Sequence, residues 1–150
     1  MNKKEIAGFI KNKKIASIDF GLKRVGLAVC DRFHVTINPR DYLLLDNQNF
    51  WNLLINFFER ESVDVVVVGT PIRLDYKETE IITAINAFIL ELESRTGKTV
   101  FMQDESYSSK EAMRTMIEIG KSRSARRRKG NIDKIAAAVI LRDFLNEIEG

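Results

Sequence analysis

From Val63 to Val68 the chain reads Val-Asp-Val-Val-Val-Val, a nearly unbroken β-branched run that stops at Gly69-Thr70-Pro71. Branching at Cβ favours extended backbone, and the lack of polar alternation leaves the segment no solvent face. It is therefore predicted as a central parallel strand covered on both sides, which commits the chain to an α/β fold with crossover helices. The 150 residues, 45% hydrophobic and 30% charged with two prolines, suit one compact domain spanning 1–150 rather than a disordered or low-complexity chain.

The remaining elements arrange themselves around this strand. Ile15–Phe20 and Val25–Cys30 are short apolar runs joined by Gly21-Leu22-Lys23-Arg24, the pattern of a β-hairpin with a four-residue connection. Val35–Asn38 is a weaker third strand, closed by Pro39. Phe50–Phe58 is predicted as a heavily buried helix, and Ile81, Ile85, Phe88 and Leu92 recur at helical spacing within Glu78–Arg95, with Gly97 as C-cap. Thr99–Gln103 is the last strand. Ser108 and Glu111 form a capping box for a helix that ends near Gly120, and Asn131 caps a final helix from Ile132 to about Glu149. The order β-β-β-α-β-α-β-α-α describes an antiparallel meander that continues into parallel strands, five in a mixed sheet with helices on both faces.

A lone cysteine, Cys30, ends an apolar run and reads as a buried small hydrophobe in a reducing compartment. Ile6–Ile10 is too short to span a membrane and lacks the features of a signal peptide, so the expected location is cytoplasmic, without a membrane partner. With one histidine, His34, and one cysteine, no conventional zinc site or His-paired nucleophile is signalled, and His34 reads as a surface residue.

Acidic residues supply the anomalies. Asp19 lies inside an apolar strand, where a carboxylate is costly unless a cation or hydrogen-bond donors meet it; a satisfied structural acid and a ligand are equally good readings. Asp133, Ala137, Ile140 and Phe144 share one helical stripe, so Asp133 falls on the face that packs against the sheet, although helix N-terminal placement alone also accounts for an acid there. Asp104 and Glu105 follow the last strand, at the sheet end where α/β proteins place ligands, and successive residues face opposite ways, so only one of them enters a site. Three acids from separate elements suit a hard ion such as Mg²⁺ or Mn²⁺.

Four blocks in order are similar to the YqgF (RuvX) family: Ile18-Asp19-Phe20-Gly21-Leu22-Lys23-Arg24-Val25-Gly26, Val68-Gly69-Thr70-Pro71, Asp104-Glu105-Ser106-Tyr107-Ser108-Ser109, and Ile132-Asp133-Lys134-Ile135-Ala136-Ala137. The resemblance implies an RNase H-like fold related to RuvC and a nuclease acting on pre-16S ribosomal RNA. It implies that Asp19, Glu105 and Asp133 occupy the acidic triad, with Asp104 supporting them from behind. It also implies a two-metal site, with ions about 4 Å apart serving phosphodiester hydrolysis. Two departures stand out: Ser106 and Tyr107 replace the family's arginine and leucine, removing a guanidinium that would clamp phosphate or orient a carboxylate, and Thr70 replaces a leucine.

Nucleic acid is the expected partner. Residues 110–134 hold nine Lys and Arg against three acids, a local net charge of +6 in a chain of net +3. Arg126, Arg127, Arg128 and Lys129 sit just before Asp133, and Lys23 and Arg24 lie in the first hairpin loop; both groups are placed to grip phosphate without reading sequence. Structured RNA is the favoured substrate. The alternatives are a DNA junction, as for a Holliday junction resolvase, and a catalytically idle nucleic-acid-binding ribosome-assembly factor; the expected state is a monomer or homodimer.

Overall fold

The computed structural model describes residues 1–71, 76–105 and 129–150. Helix α1 (Lys3–Ile10) leads into strands β1 (Ile15–Phe20), β2 (Arg24–Cys30) and β3 (Ile37–Leu44), helix α2 (Phe50–Arg60), β4 (Val65–Pro71), α3 (Tyr76–Thr96), β5 (Thr99–Glu105) and the closing helix α4 (Lys129–Glu149). The sheet order is β3-β2-β1-β4-β5. β1 pairs antiparallel with β2 and parallel with β4, and β4 pairs parallel with β5, so the expected mixed sheet of meander and crossover forms. Val65, Val66, Val67 and Val68 are wholly buried, as a strand without a polar face must be.

Each sheet face carries its own core. On one side Ala16, Ile18, Phe20, Val66 and Val68 meet α2 and α3 through Leu54, Phe57, Phe58, Ile85, Phe88 and Leu92. Phe20, Trp51 and Phe88 meet there, with Phe88 ring centroids 4.8 Å from Phe20 and 5.4 Å from Trp51. On the other side Ile15, Cys30, Val65 and Val67 pack against α1 and α4 through Ile10, Ile140, Leu141, Phe144 and Leu145. Gly97 closes α3 with φ +67°, and its N–H donates to Glu93 O.

Several expectations need correction. The third strand begins at Ile37 and runs on to Leu44, with Pro39 inside it; β3 is an edge strand, so a residue with no N–H is tolerated where one side of the ladder has no partner. β4 does not stop before Gly69 but continues through it to Pro71, and β5 continues to Glu105. The hairpin connection is Gly21–Lys23, because Arg24 already pairs with Leu44. α2 is amphipathic rather than heavily buried, with Asn52, Leu53 and Asn56 outward. α4 starts at Lys129, which puts Asn131 inside its first turn instead of at its cap. The helix predicted between Ser108 and Gly120 lies outside the described residues. α1, not anticipated, is capped by Asn2, whose Oδ1 accepts from Glu5 N at 2.8 Å.

His34 is not a surface residue. Its backbone has φ +60°, and Asp31 holds the loop by accepting from the N–H groups of Phe33, Val35 and Thr36. The ring turns inward, Nε2 donating to Lys13 O and Nδ1 facing Glu149 Oε2, each at 2.8 Å, so it ties the end of α4 to the start of β1. Among the described residues no helix is long and apolar enough to cross a membrane.

Cys30 is buried as expected, and burial pushes its thiol up to about 11. The thiolate is the reactive species, so at pH 8 Cys30 is expected to resist iodoacetamide in the native protein and to react fully in denaturant. Mass spectrometry of the two samples checks this, and native alkylation would contradict the packing of β2 against α4.

Candidate active site

Among the described residues, the buried polar and charged side chains are Ser17, Asp19, Gln103 and Glu105. Strand register puts all four on one face. Asp19 lies opposite Gly69, Gly69 lies opposite Gln103, and Ser17 and Glu105 are two residues from Asp19 and Gln103 along their strands. The face is the one covered by α4, since Ser17 Oγ donates to Ala137 O at 2.6 Å and Gln103 Nε2 donates to Glu147 Oε2 at 2.8 Å. Asp19 and Glu105 therefore stand near the carboxyl ends of β1 and β5, separated by β4 and so by roughly 10 Å of backbone.

Between them β4 presents Gly69, which has no side chain to offer. A Cβ at that position would come within 2.4 Å of Ile140 Cδ1 and 3.4 Å of Glu105 Cγ. α4 thus presses an isoleucine directly onto the strand, with the Glu105 side chain beside it. The glycine is needed for this approach, not for a turn.

Asp133 is the fifth residue of α4, just past its first turn, four residues before Ala137 and seven before Ile140. Ala137, Ile140 and Phe144, which share its stripe, are all buried against the sheet. The Asp133 side chain is outside the described residues. Asp104 is not brought to the Asp19 and Glu105 face: it is exposed on the opposite one, where its Oδ1 accepts from Thr70 Oγ1 at 3.3 Å. Lys23 is exposed in the hairpin connection, while Arg24 opens β2 with its guanidinium carbon 5.2 Å from the Tyr42 ring centroid. Arg126, Arg127 and Arg128 lie outside the described residues; Lys129 begins α4, and its side chain is likewise not described.

Sequence reasoning passed over Asp143. It sits on α4 three residues after Ile140 and is half-buried; burial pushes its carboxyl up, while a hydrogen bond with the Glu105 carboxyl and the Arg142 charge pull it down. The available signal was spacing, since residues 140, 143 and 147 advance along one side of a helix.

A mixed five-stranded sheet in this order, with carboxylates near the carboxyl ends of its strands and a helix closing over them, defines an RNase H-like protein. Two solved structures share the fold: T. thermophilus RuvC in complex with a Holliday junction substrate, at TM-score 0.57 and 14% identity over 91% of this chain and 96% of that one, and the Fowlpox virus resolvase with its Holliday junction DNA, at TM-score 0.50 and 19% identity over 91% and 97%. The family model for RuvX, described as Holliday junction resolvase, matches residues 13–147, and the chain belongs to that family. Relatives named "Putative pre-16S rRNA nuclease" include those of Amoebophilus asiaticus, 38% identical over 89% of this chain and 94% of the relative, and Chlorobium luteolum, 35% identical over 91% and 96%. The family is one of nucleases, hydrolases of phosphodiester bonds, and this chain is a member of it.

Proposed function

We propose that this protein is a divalent-metal-dependent nuclease that cuts RNA in the processing of pre-16S ribosomal RNA, with Asp19, Glu105 and Asp133 as its metal-binding carboxylates. The observation that carries the reading is the placement of Asp19 and Glu105, 8% and 4% exposed, on one sheet face beneath the helix that carries Asp133 near its start. A protein rarely buries two carboxylates on one face without a use for their charge. Their donor atoms are hard oxygens, which fit Mg²⁺ or Mn²⁺ and not zinc. Among the described residues no three His, Cys, Asp or Glu side chains gather to hold an ion; the third carboxylate of this reading belongs to Asp133.

When bound, such an ion lowers the pKa of a water and neutralises charge on the phosphate. The chain's own residues do the rest. Asp19 is fixed by backbone pairing to both β2 and β4, and Glu105 is fixed at the end of β5, so the carboxylates are held by the sheet and not by loops. Lys23 and the basic residues Arg126, Arg127, Arg128 and Lys129 attract the phosphate backbone; Arg24, beside Tyr42, adds a further cation near the end of β1. These contacts supply affinity without sequence reading. The names of the relatives favour precursor ribosomal RNA over junction DNA.

The test is a cleavage assay with Mg²⁺ or Mn²⁺ on precursor 16S RNA, unstructured RNA and a four-way DNA junction in parallel. Metal-dependent cutting of the precursor, abolished by EDTA, is expected. Cutting only the junction would replace the substrate, and failure to cut all three would leave an RNA-binding factor and remove the nuclease reading.

A further inference from the structure

A hydroxyl inside a buried apolar strand loses its hydration and regains it only through a hydrogen bond, whereas alanine would fill nearly the same space at no such cost. Ser17 is such a residue. It is wholly buried between Ala16 and Ile18 in β1, and its backbone is paired with Ala28 and Val67 in the strands on either side. Its Oγ donates not within the sheet but to Ala137 O of α4, at 2.6 Å. That carbonyl belongs to the helical ladder, so α4 does not need the bond to complete its own pairing. The two ends of the bond are the informative part. Ser17 stands two residues before Asp19 on the same strand face, and Ala137 stands one helical turn after Asp133.

Other contacts also hold α4, but they hold it less exactly or farther from Asp133. Ile140 rests on Gly69 through apolar atoms alone, and Gln103 and His34 reach Glu147 and Glu149 at the far end of the helix. Apolar contact has no preferred direction, and a glutamate can follow a shifted partner through its three side-chain torsions. Serine has a single heavy-atom torsion on a backbone pinned from both sides. Among the described residues its bond is the first polar contact, in chain order, between α4 and the sheet, and it lies about 6 Å along the helix axis from Asp133.

We propose that Ser17 is a positioning residue for the reaction: its hydroxyl locks the start of α4 onto β1 and so fixes Asp133 in relation to Asp19, which sets the affinity of the site for a divalent ion. The inference rests on the reading of Asp19 and Asp133 as metal ligands. Ligands on two different elements hold one ion only if the elements keep their relative position to within a fraction of an ångström. Groups that orient metal ligands from outside the site typically change affinity by about 10- to 100-fold when removed.

The experiment measures Mn²⁺ binding by calorimetry, kcat and KM on precursor 16S RNA, and Tm in EDTA, for the wild-type protein, Ser17→Ala, Ile10→Val, Asp133→Asn and the double variant Ser17→Ala/Asp133→Asn. Ser17→Ala is expected to bind Mn²⁺ about 10-fold more weakly and to lose kcat with KM unchanged, while its Tm falls by only about 2 to 4 °C. Ile10→Val trims the same core from α1, away from the carboxylates, and should lower the Tm by a similar amount without weakening Mn²⁺ binding. The double variant should bind Mn²⁺ no more weakly than Asp133→Asn, because Ser17 acts through Asp133. If Ser17→Ala fails to fold, Ser17→Cys, close in size and a much weaker donor, takes its place. Wild-type Mn²⁺ affinity without the hydroxyl, an equal loss in Ile10→Val, or a further loss in the double variant overturns the role of Ser17 and leaves the carboxylates as ligands. Wild-type Mn²⁺ binding in Asp133→Asn removes Asp133 from the metal site, and the role of Ser17 with it.

Discussion

Replacing Asp19 by asparagine should leave a folded protein whose metal-dependent cleavage falls by roughly three orders of magnitude, about 4 kcal/mol of transition-state stabilisation. The two side chains have the same shape, and the backbone pairing of residue 19 with Gly26 and Gly69 does not involve the side chain. What the change removes is a charge. Asp19 is 8% exposed between the buried Ile18 and Phe20, so neither bulk water nor a neighbouring strand position offers a substitute anion at that point. The effect should also appear without substrate. An ion that binds only the folded state raises thermal stability by mass action, so Mg²⁺ should raise the Tm of the wild type and not that of Asp19→Asn. Measured kcat/KM, with Tm determined in Mg²⁺ and in EDTA, checks both halves. Cleavage at the wild-type rate would take Asp19 out of the site, and an equal Mg²⁺ shift in the variant would place the ion elsewhere.

Asp19 was legible in the sequence because a charge in an apolar strand violates the pattern around it, and Asp133 because it interrupts the stripe of Ala137, Ile140 and Phe144. Those three residues are indeed buried. The valine run and the Ile81, Ile85, Phe88, Leu92 face were legible for the same reason, since burial on a regular element leaves a period in the sequence. Features set by a single tertiary contact left none. Pro39 looked like a strand terminator because nothing local says that β3 is an edge. His34 looked like a surface residue because its acceptors, Lys13 O and the Glu149 carboxylate, lie 21 and 115 positions away. Asp143 looked like an ordinary helical acid because its partner, Glu105, is on a strand 38 positions earlier. The family resemblance selected Glu105 over Asp104; in the fold the two face opposite sides, Glu105 toward Asp19 and Asp104 toward Thr70 and solvent. Ser106, which departs from the family's arginine, lies outside the described residues.

Gly69→Ala is expected to be the most damaging small substitution away from the charged groups. In the sequence Gly69 stands where the valine run stops. In the fold it is a strand residue on which α4 rests, and the added methyl would sit 2.4 Å from Ile140 Cδ1 and 2.8 Å from Ile140 Cγ1. Ile140 is wholly buried, with Leu141 and Phe144 packed around it, so it has no free space to rotate into. Either its side chain leaves its preferred rotamer or α4 moves off the sheet. Forcing one extra methylene-sized group into a packed core costs about 1 to 3 kcal/mol. For a domain of this size that lowers the Tm by several degrees, roughly 2 to 4 °C per kcal/mol. The functional loss should exceed the loss of stability. α4 carries Asp133 near its start and covers the face that holds Asp19 and Glu105, and a shift of about 1 Å in groups that position a substrate can cost on the order of 100-fold in rate. At a temperature where the variant is fully folded, its cleavage rate should therefore still be far below that of the wild type. Ile140→Val, which withdraws the clashing Cδ1, should recover part of both losses in the Gly69→Ala background, although alone it costs about 0.5 to 1.5 kcal/mol. Paired thermal melts and cleavage assays on the two single variants and the double variant read out this coupling. If the double variant shows only the sum of the single effects, Gly69 and α4 are not in the contact that holds the carboxylates together.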